Sequence, residues 1–321
     1  MAKPKKINLA YRMEALAWDA YQGALGAMSL EQASALGAAI VPWIGKFSSA
    51  DTTAMRNLRL AFPEESEAWR REIVKAMWAE LGRLSGEFAH MHEFVDRLEK
   101  GDIYFEGRDI VEAAKPTGAV FIGGHFTNWE VTSVCLAQAD PNCYFTYRPA
   151  NNPIIDKRIV ETRRKFGMEL QSAKGKTGGM GLLRALKRGQ SIALMNDQKY
   201  NEGLAVPLFG HDCMTADGPT RLALKYRVPL IPLSGRRVEG VRFHVRVHPP
   251  IPLDYDNPND ETVRKGVERI NAFLESRIRE APEQWFWAHR RWPKDAWRKA
   301  GVMNPREPQR ARTPALSNSQ A

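Results

Sequence analysis

The sequence predicts an α/β fold: a mostly parallel sheet flanked by helices and preceded by an N-terminal helical anchor region. Three observations carry this. From about residue 103 onward, short apolar runs alternate with helical patterns, which implies parallel strands joined by right-handed crossovers. Residues 7–47 are rich in Ala, Leu, Gly and Trp, with charges only at Arg12, Glu14, Asp19, Glu31 and Lys46. Finally, the apolar run Ala119-Val120-Phe121-Ile122 enters Gly123-Gly124-His125-Phe126-Thr127-Asn128-Trp129-Glu130, and a second apolar run, 131–137, leaves it. The first run reads as a buried strand and the second as a helix, with two glycines allowing a sharp turn close to a ligand.

Composition bounds the partners. A chain of 321 residues can bury a large core and hold one or two domains. Its apolar and charged fractions, 43% and 26%, are those of an ordinary globular protein. The net charge of +10 is not ordinary, and it implies an anionic partner: nucleic acid, a phosphate-bearing lipid surface or an acidic protein. Cys135, Cys143 and Cys213 form no pairing pattern and no C-x-x-C, which fits a reducing compartment and leaves no legible zinc site. Cys135 falls on an apolar helical stretch and reads as core rather than nucleophile. The start Met1-Ala2-Lys3-Pro4-Lys5-Lys6 is basic, but no compact apolar stretch with a small-residue cleavage site follows it.

Taken in order, residues 7–47 form two helices with apolar faces. No run reaches the ~18 uninterrupted apolar residues of a spanning helix, so an interfacial or hairpin anchor is favoured over plain core packing. Residues 1–50 thus read as a membrane-associating region, 51–300 as the main domain and 301–321 as a polar, disordered tail. Asp51 can cap a helix over 52–62, which Pro63 ends, and Ser66 can open the next. His90 and His92 stand two apart, which does not share a helix face, and read as surface or packing residues rather than metal ligands. The strand at 119–123 and helix at 127–139 come next, then a strand near 143–146 and the loop 147–153. A helix over 154–166 carries Lys157, Arg158, Arg163, Arg164 and Lys165.

A helix follows at 180–188, ended by Gly189, and a strand at 191–195 runs into Asn196-Asp197-Gln198. A helix at 220–226, a strand at 228–233, an alternating edge strand at 240–248 and a long helix at 262–280 complete the alternation. Residues 174–179 carry Gly and Lys but lack the phosphate-loop glycine, because position 170 is Leu, so they read as a flexible basic loop. The segment 282–299 mixes Trp285, Trp287, Trp292 and Trp297 with Arg290, Arg291 and Arg298. That mixture suits a membrane headgroup layer or the stacking of single-stranded nucleic acid, or equally a C-terminal element packing its tryptophans on the core.

The chemistry gathers where ligands gather in open α/β sheets, beyond the strands' carboxyl ends. His125, Arg148 and Asp197 each follow a predicted strand. On one continuous helix His125 and Glu130 would point about 140° apart. They can meet if His125 sits just before the helix and Glu130 in its first turn. A carboxylate then fixes the imidazole tautomer while the other nitrogen takes a proton from an attacking hydroxyl. Thr127-x-x-Glu130 is also a capping box, so Glu130 can instead simply close the helix start. Oxyanion donors are available from backbone N–H groups near Gly124, from Arg148 or from Arg163. Asp197 can position a substrate group or cap a turn. There is no G-x-S-x-G elbow, and no cysteine stands beside His125 in sequence, so no covalent nucleophile is legible.

An ordered set of blocks resembles the late acyltransferases of lipid A biosynthesis, the lauroyl/myristoyl type. Asn57-Leu58-Arg59-Leu60-Ala61-Phe62-Pro63 resembles that family's early signature, and His125 to Glu130 its H-x4-[DE] motif. Tyr147-Arg148-Pro149 with Asn152, Pro153 and Asp156 resembles the next block, and Arg163 falls where the family carries a functional arginine. Asn196-Asp197-Gln198, then 206–210 and 215–218, resemble a substrate-side block, and 282–291 a closing motif.

The resemblance implies a glycerolipid-acyltransferase-like fold on the cytoplasmic face of the inner membrane. It implies acyl carrier protein as donor, a lipid A precursor as acceptor, and no cofactor, metal or nucleic acid. His125 is then the general base oriented by Glu130, and Arg148, Arg163, Asn196, Asp197, Gln198 and Arg290 bind substrate. Members often carry a clear N-terminal membrane helix, which Asp19 and Glu31 interrupt here. An acyltransferase for another glycolipid, of the phosphatidylinositol mannoside type, shares these features. A non-catalytic basic membrane- or nucleic-acid-binding protein accounts for the charge but not for the three strand-end residues.

Overall fold

A computed structural model describes residues 7–172 and 175–303, without side chains at 171–179. The basic start at 1–6, Ala173, Lys174 and the expected tail from 304 onward lie outside the described residues. Helices α1 (Leu9–Gly26), α2 (Leu30–Gly45), α3 (Ser49–Ala61), α4 (Glu67–Glu87) and α5 (Glu93–Lys100) come first. Alternation then begins with β1 (Ile103–Glu106), α6 (Arg108–Ala114), β2 (Val120–Gly123), α7 (Trp129–Ala139), β3 (Tyr144–Tyr147) and α8 (Pro153–Arg164). It continues with β4 (Glu169–Ser172), α9 (Gly175–Lys187), β5 (Ile192–Met195), β6 (Leu204–Leu208), β7 (His211–Thr215) and α10 (Gly218–Tyr226). Strands β8 (Leu230–Glu239) and β9 (Arg242–Val247), then α11 (Asp260–Glu280) and α12 (Lys294–Lys299), close the fold.

Seven strands form one sheet in the order β1-β9-β8-β2-β5-β3-β4, parallel throughout except for the antiparallel pair β8–β9. The mostly parallel α/β sheet flanked by helices is therefore as the sequence predicts. Strand β2 is central, pairing Val120 with Ile192 on one side and with Leu230 on the other. Its alternation sends Val120 and Ile122 into a core shared with α3, α4 and α11, while Phe121 enters a second core beneath α5, α6 and α7. Burial on both faces is why β2 reads as a continuous apolar run.

Several details differ from expectation. Strand β9 is not at the edge, because β1 pairs outside it in parallel. Strand β4 and the separate β6–β7 hairpin carried no clear signal. Glu169 and Gln171 interrupt the apolar pattern of the first, and Pro207 sits inside the second. From Gly175 the expected basic loop is instead the start of α9. Ser48, not Asp51, caps α3; Asp51 is buried and accepts from Trp78 Nε1 at 3.0 Å and Arg71 at 2.7 Å.

His90, His92 and Glu93 do converge, yet both ring nitrogens of His90 are already engaged. Its Nδ1 meets Glu93 at 2.8 Å and its Nε2 the Leu25 carbonyl at 3.0 Å. The C-terminal tryptophans overturn the headgroup and stacking readings, since Trp285, Trp287, Trp292 and Trp297 are all fully buried. Each indole N–H has a partner: Asp197, the Pro282 and Leu208 carbonyls, and Asn57.

The N-terminal pair has two faces. Helix α2 lies directly on α4, backbone to backbone: a Cβ on Gly37 would stand 2.0 Å from the Gly82 carbonyl oxygen. Away from this contact, Leu9, Met13 and Leu16 of α1, Ile40 and Trp43 of α2, and Phe47 just beyond it are exposed. Among the described residues no helix is long and apolar enough to cross a membrane.

Candidate active site

Parallel register builds the site. Gly123 at the end of β2 pairs with Met195 at the end of β5, and Asn196 N donates to the Gly123 carbonyl at 2.9 Å. Two residues past each strand end, His125 and Asp197 thus face each other. His125 Nδ1 lies 2.8 Å from Asp197 Oδ1, and the His125 backbone N–H donates to Asp197 Oδ2 at 2.8 Å. Glycine is required at 124, where a Cβ would stand 2.7 Å from the Phe126 ring and 3.3 Å from the Asp197 carboxyl carbon. Trp285 Nε1 completes the carboxylate's shell at 2.9 Å.

These donors decide the ionisation of the pair. Burial alone would raise the pKa of Asp197, but the His125 charge, the His125 hydrogen bonds and His289 outweigh it and hold the carboxyl well below its usual range. Burial pushes His125 down, but the Asp197 carboxylate outweighs it, Glu130 adds to the rise and Arg163 opposes it; the net shift is upward. An ionised carboxylate only accepts, so neutral His125 carries its proton on Nδ1 and keeps the Nε2 lone pair. Nearby His289 has its Nδ1 2.7 Å from the Phe286 carbonyl oxygen and its Nε2 3.2 Å from that of Asp197.

Glu130 does not make the contact that its spacing suggested. Arg163 of α8 donates Nε and Nη2 to its two oxygens, at 2.9 and 2.5 Å. The carboxylate that holds His125 is therefore Asp197, because adjacent strand ends bring it closer than the first helical turn brings Glu130. The capping-box alternative is also corrected: Asn128 is the N-cap of α7, accepting from the Glu130 N–H at 3.0 Å. The Thr127 hydroxyl turns away to Glu80 at 2.6 Å. Among the oxyanion donors considered, the N–H groups of His125, Phe126 and Thr127 are committed to Asp197, Gly124 and Gln284.

His125, Glu130 and Arg163 stand on the wall of a cavity of about 580 Å³. Phe121, Leu136, Phe145, Met168, Leu170 and Leu233 give it an apolar interior. The volume is that of a small-molecule site. Arg148 and Gln198 are exposed and border it, and Asn196 is buried at its side. Arg290 is exposed and is not part of this lining; its neighbour Arg291 is the buried one, donating to the Met214 carbonyl, Thr215 and Asn271. Sequence reasoning missed Tyr147, Lys199 and Tyr200 on the lining and Trp285 on Asp197. The last pair is separated by 88 positions, and no spacing signals it.

Comparison with known proteins gives a consistent picture. The family model described as bacterial lipid A biosynthesis acyltransferase matches residues 4–294. The lipid A biosynthesis lauroyltransferase of Escherichia coli K12 is 29% identical over 245 residues, covering 74% of this chain and 76% of the relative. A lipid A biosynthesis acyltransferase of Haemophilus influenzae is 25% identical over 254 residues, 76% of each chain. The E. coli palmitoleoyltransferase is 26% identical over 247 residues, covering 75% of this chain and 78% of the relative. Among solved structures, the 1-acyl-sn-glycerophosphate acyltransferase PlsC of Thermotoga maritima aligns with a TM-score of 0.39 at 14% identity. That alignment covers 86% of this chain and 99% of PlsC, a likeness too slight to bear on the fold.

Proposed function

The chain belongs to the bacterial lipid A biosynthesis acyltransferase family, and from that premise we propose that it moves a fatty acyl group from acyl carrier protein to a hydroxyl of a lipid A precursor. The observation that carries the chemistry is the Asp197–His125 pair: a fully buried carboxylate holding an imidazole that stands on the wall of an apolar cavity. His125 Nε2 takes the proton of the acceptor hydroxyl as its oxygen attacks the thioester carbonyl. The C–S bond then breaks, and the leaving thiolate takes that proton from the imidazolium. Base catalysis of this kind contributes typically 10²- to 10⁴-fold. Asp197 holds the ring and stabilises the imidazolium, and Glu130 adds a second negative charge nearby.

Arg163, anchored on Glu130, is a candidate donor to the developing oxyanion or to a substrate phosphate. The apolar cavity takes the acyl chain. Direct transfer is consistent with the cysteines, since Cys135, Cys143 and Cys213 are buried and their thiols are pushed up by burial. The exposed apolar side of α1 and α2, with Lys46 over the Trp43 ring, suits the cytoplasmic leaflet of the inner membrane. The net charge of +10 suits an acidic carrier protein or anionic lipid.

Mass spectrometry of lipid A precursor incubated with the protein and acyl-loaded carrier tests the reading. A mass gain of one acyl group, absent with His125→Ala, is expected. No gain with any carrier-bound chain would overturn the donor and acceptor together and direct the search to acyl-CoA and other glycolipids.

A further inference from the structure

An ionic cluster that lines no part of the cavity lies behind the His125 turn. Glu80 and Glu87 stand seven residues apart on α4, two turns along one face. Between them lies Arg237 of β8. It donates Nε to both Glu80 oxygens, at 3.1 and 2.9 Å, and Nη1 and Nη2 to Glu87, at 2.7 and 3.1 Å. Glu87 is completely buried and Arg237 nearly so. The same carboxylates take further hydrogen bonds, one from Ser34 Oγ of α2 to Glu87 at 2.6 Å and two from the turn itself. Thr127 Oγ1 donates to Glu80 at 2.6 Å, and Asn128 Nδ2 donates to Glu87 at 2.7 Å.

Thr127 is where such a hold is needed. Its φ is +36°, a left-handed conformation that is strained for a β-branched residue. Strain of this kind persists only where the surroundings impose it. Here they do so from two sides, because the Thr127 N–H also donates to the Gln284 carbonyl at 2.6 Å and the Phe286 N–H to the His125 carbonyl at 3.1 Å. Gln284 is itself tied to the Arg237 backbone in both directions, at 2.7 and 3.0 Å. Arg237 therefore anchors both jaws.

We propose that Glu80, Glu87 and Arg237 are positioning residues: through Thr127 and Asn128 they hold the β2–α7 turn in a strained shape and so set where His125 Nε2 stands. The proposal rests on the reading of His125 as the base. A purely structural role, the neutralising of buried Arg237, makes a different prediction. Glu80 keeps Arg237, and Arg83 at 3.6 Å, whether or not Thr127 bonds to it. Removing the Thr127 hydroxyl thus cuts one of the two side-chain ties, with Asn128 still on Glu87, and leaves no buried charge unpaired.

The experiment is steady-state transfer from acyl-loaded carrier protein to lipid A precursor, with turnover counted per folded molecule. Thr127→Val keeps the side chain's shape and lacks the hydroxyl. Its kcat should fall about tenfold or more while KM stays within about twofold, the pattern of a misplaced base rather than lost binding. Thr127→Ser restores the hydroxyl and should recover to within about threefold. Thr127→Gly accepts the left-handed backbone without strain, guards against a folding failure in the valine variant, and should also be slow. Valine and glycine variants with wild-type kcat would overturn the proposal, as would a loss that serine does not restore. Activity in His125→Ala would instead remove the base reading itself, so the two failures are distinguishable.

Discussion

The N-terminal helices reach the site by two routes of opposite character. Through α2 and α4 the route is buried: glycine-to-glycine backbone contact, then Glu80 and Glu87, then Thr127 and Asn128. Through α1 and α8 it is polar and partly open to solvent, with Asn152 its one buried tie. Helix α8 has no buried residue and is tied to α1 by Asn152 on the Tyr11 carbonyl and Glu14, and by Arg158 on Asp19. The first route ends on the residue proposed as base, the second on Arg163 and the cavity wall. The difference assigns tasks: the atom that must be placed to a fraction of an ångström hangs from a close-packed support. The wall that must admit a substrate hangs from solvated contacts that part at little cost.

The largest effects should come from the buried side. Arg237→Ala leaves buried Glu87 without its counter-charge and half-buried Glu80 with only Arg83, at 3.6 Å. It should cost about 3–5 kcal/mol of stability, measured by denaturant unfolding. If the loss stays within the range of a surface pair, the two routes are not different in kind. Asp197→Asn keeps the shape but removes the charge that raises the His125 pKa. Turnover should fall on the order of 10²- to 10⁴-fold. With burial now dominant, the acid limb of the residual kcat/KM should move to lower pH, because the base must be neutral to act.

The same shift has a stability sign. Because the folded-state pKa of His125 is raised, its stabilising contribution is complete below the ordinary value of 6.5 and fades as pH rises through the raised one. In Asp197→Asn, where burial depresses the His125 pKa, the sign should reverse, with stability lost as pH falls below 6.5.

Gly82→Ala comes next. In an exposed helix this change stabilises by about 1 kcal/mol. Here a Cβ would stand 2.1 Å from the Gly37 carbonyl oxygen, so the sign should reverse, with a loss of about 1–3 kcal/mol. A stabilised Gly82→Ala protein would show that α2 does not sit on α4 as described.

What the sequence made legible follows the range of each signal. Strand β2, the turn and α7 are contiguous, so the apolar run and the glycines reveal them. His125, Arg148 and Asp197 at strand ends follow from the α/β alternation. The pairing was not legible: whether His125 meets Glu130, five residues away, or Asp197, 72 residues away, depends on which strand lies beside β2. The Glu80–Arg237–Glu87 cluster was invisible for the same reason, since charges on an amphipathic helix read as a solvated face until the strand that covers them is known. The tryptophans of 285–297 carry the composition of a membrane belt, and only their burial tells the two apart.

The smallest expected effect tests the polar route. Arg158 and Asp19 pair at 2.6 Å with more than a third of each side chain in solvent. Arg158→Ala should therefore change stability by no more than about 1 kcal/mol, and by less at high salt. The informative readout is kinetic. If α8 is only loosely tied to α1, loosening it further should alter KM for the acyl donor while leaving kcat near the wild-type value, because the support of His125 is untouched. A fall in kcat comparable to that of a buried-route variant would mean that the α1–α8 contact also places the reacting groups. The contrast between a rigid side and a yielding side would then be lost.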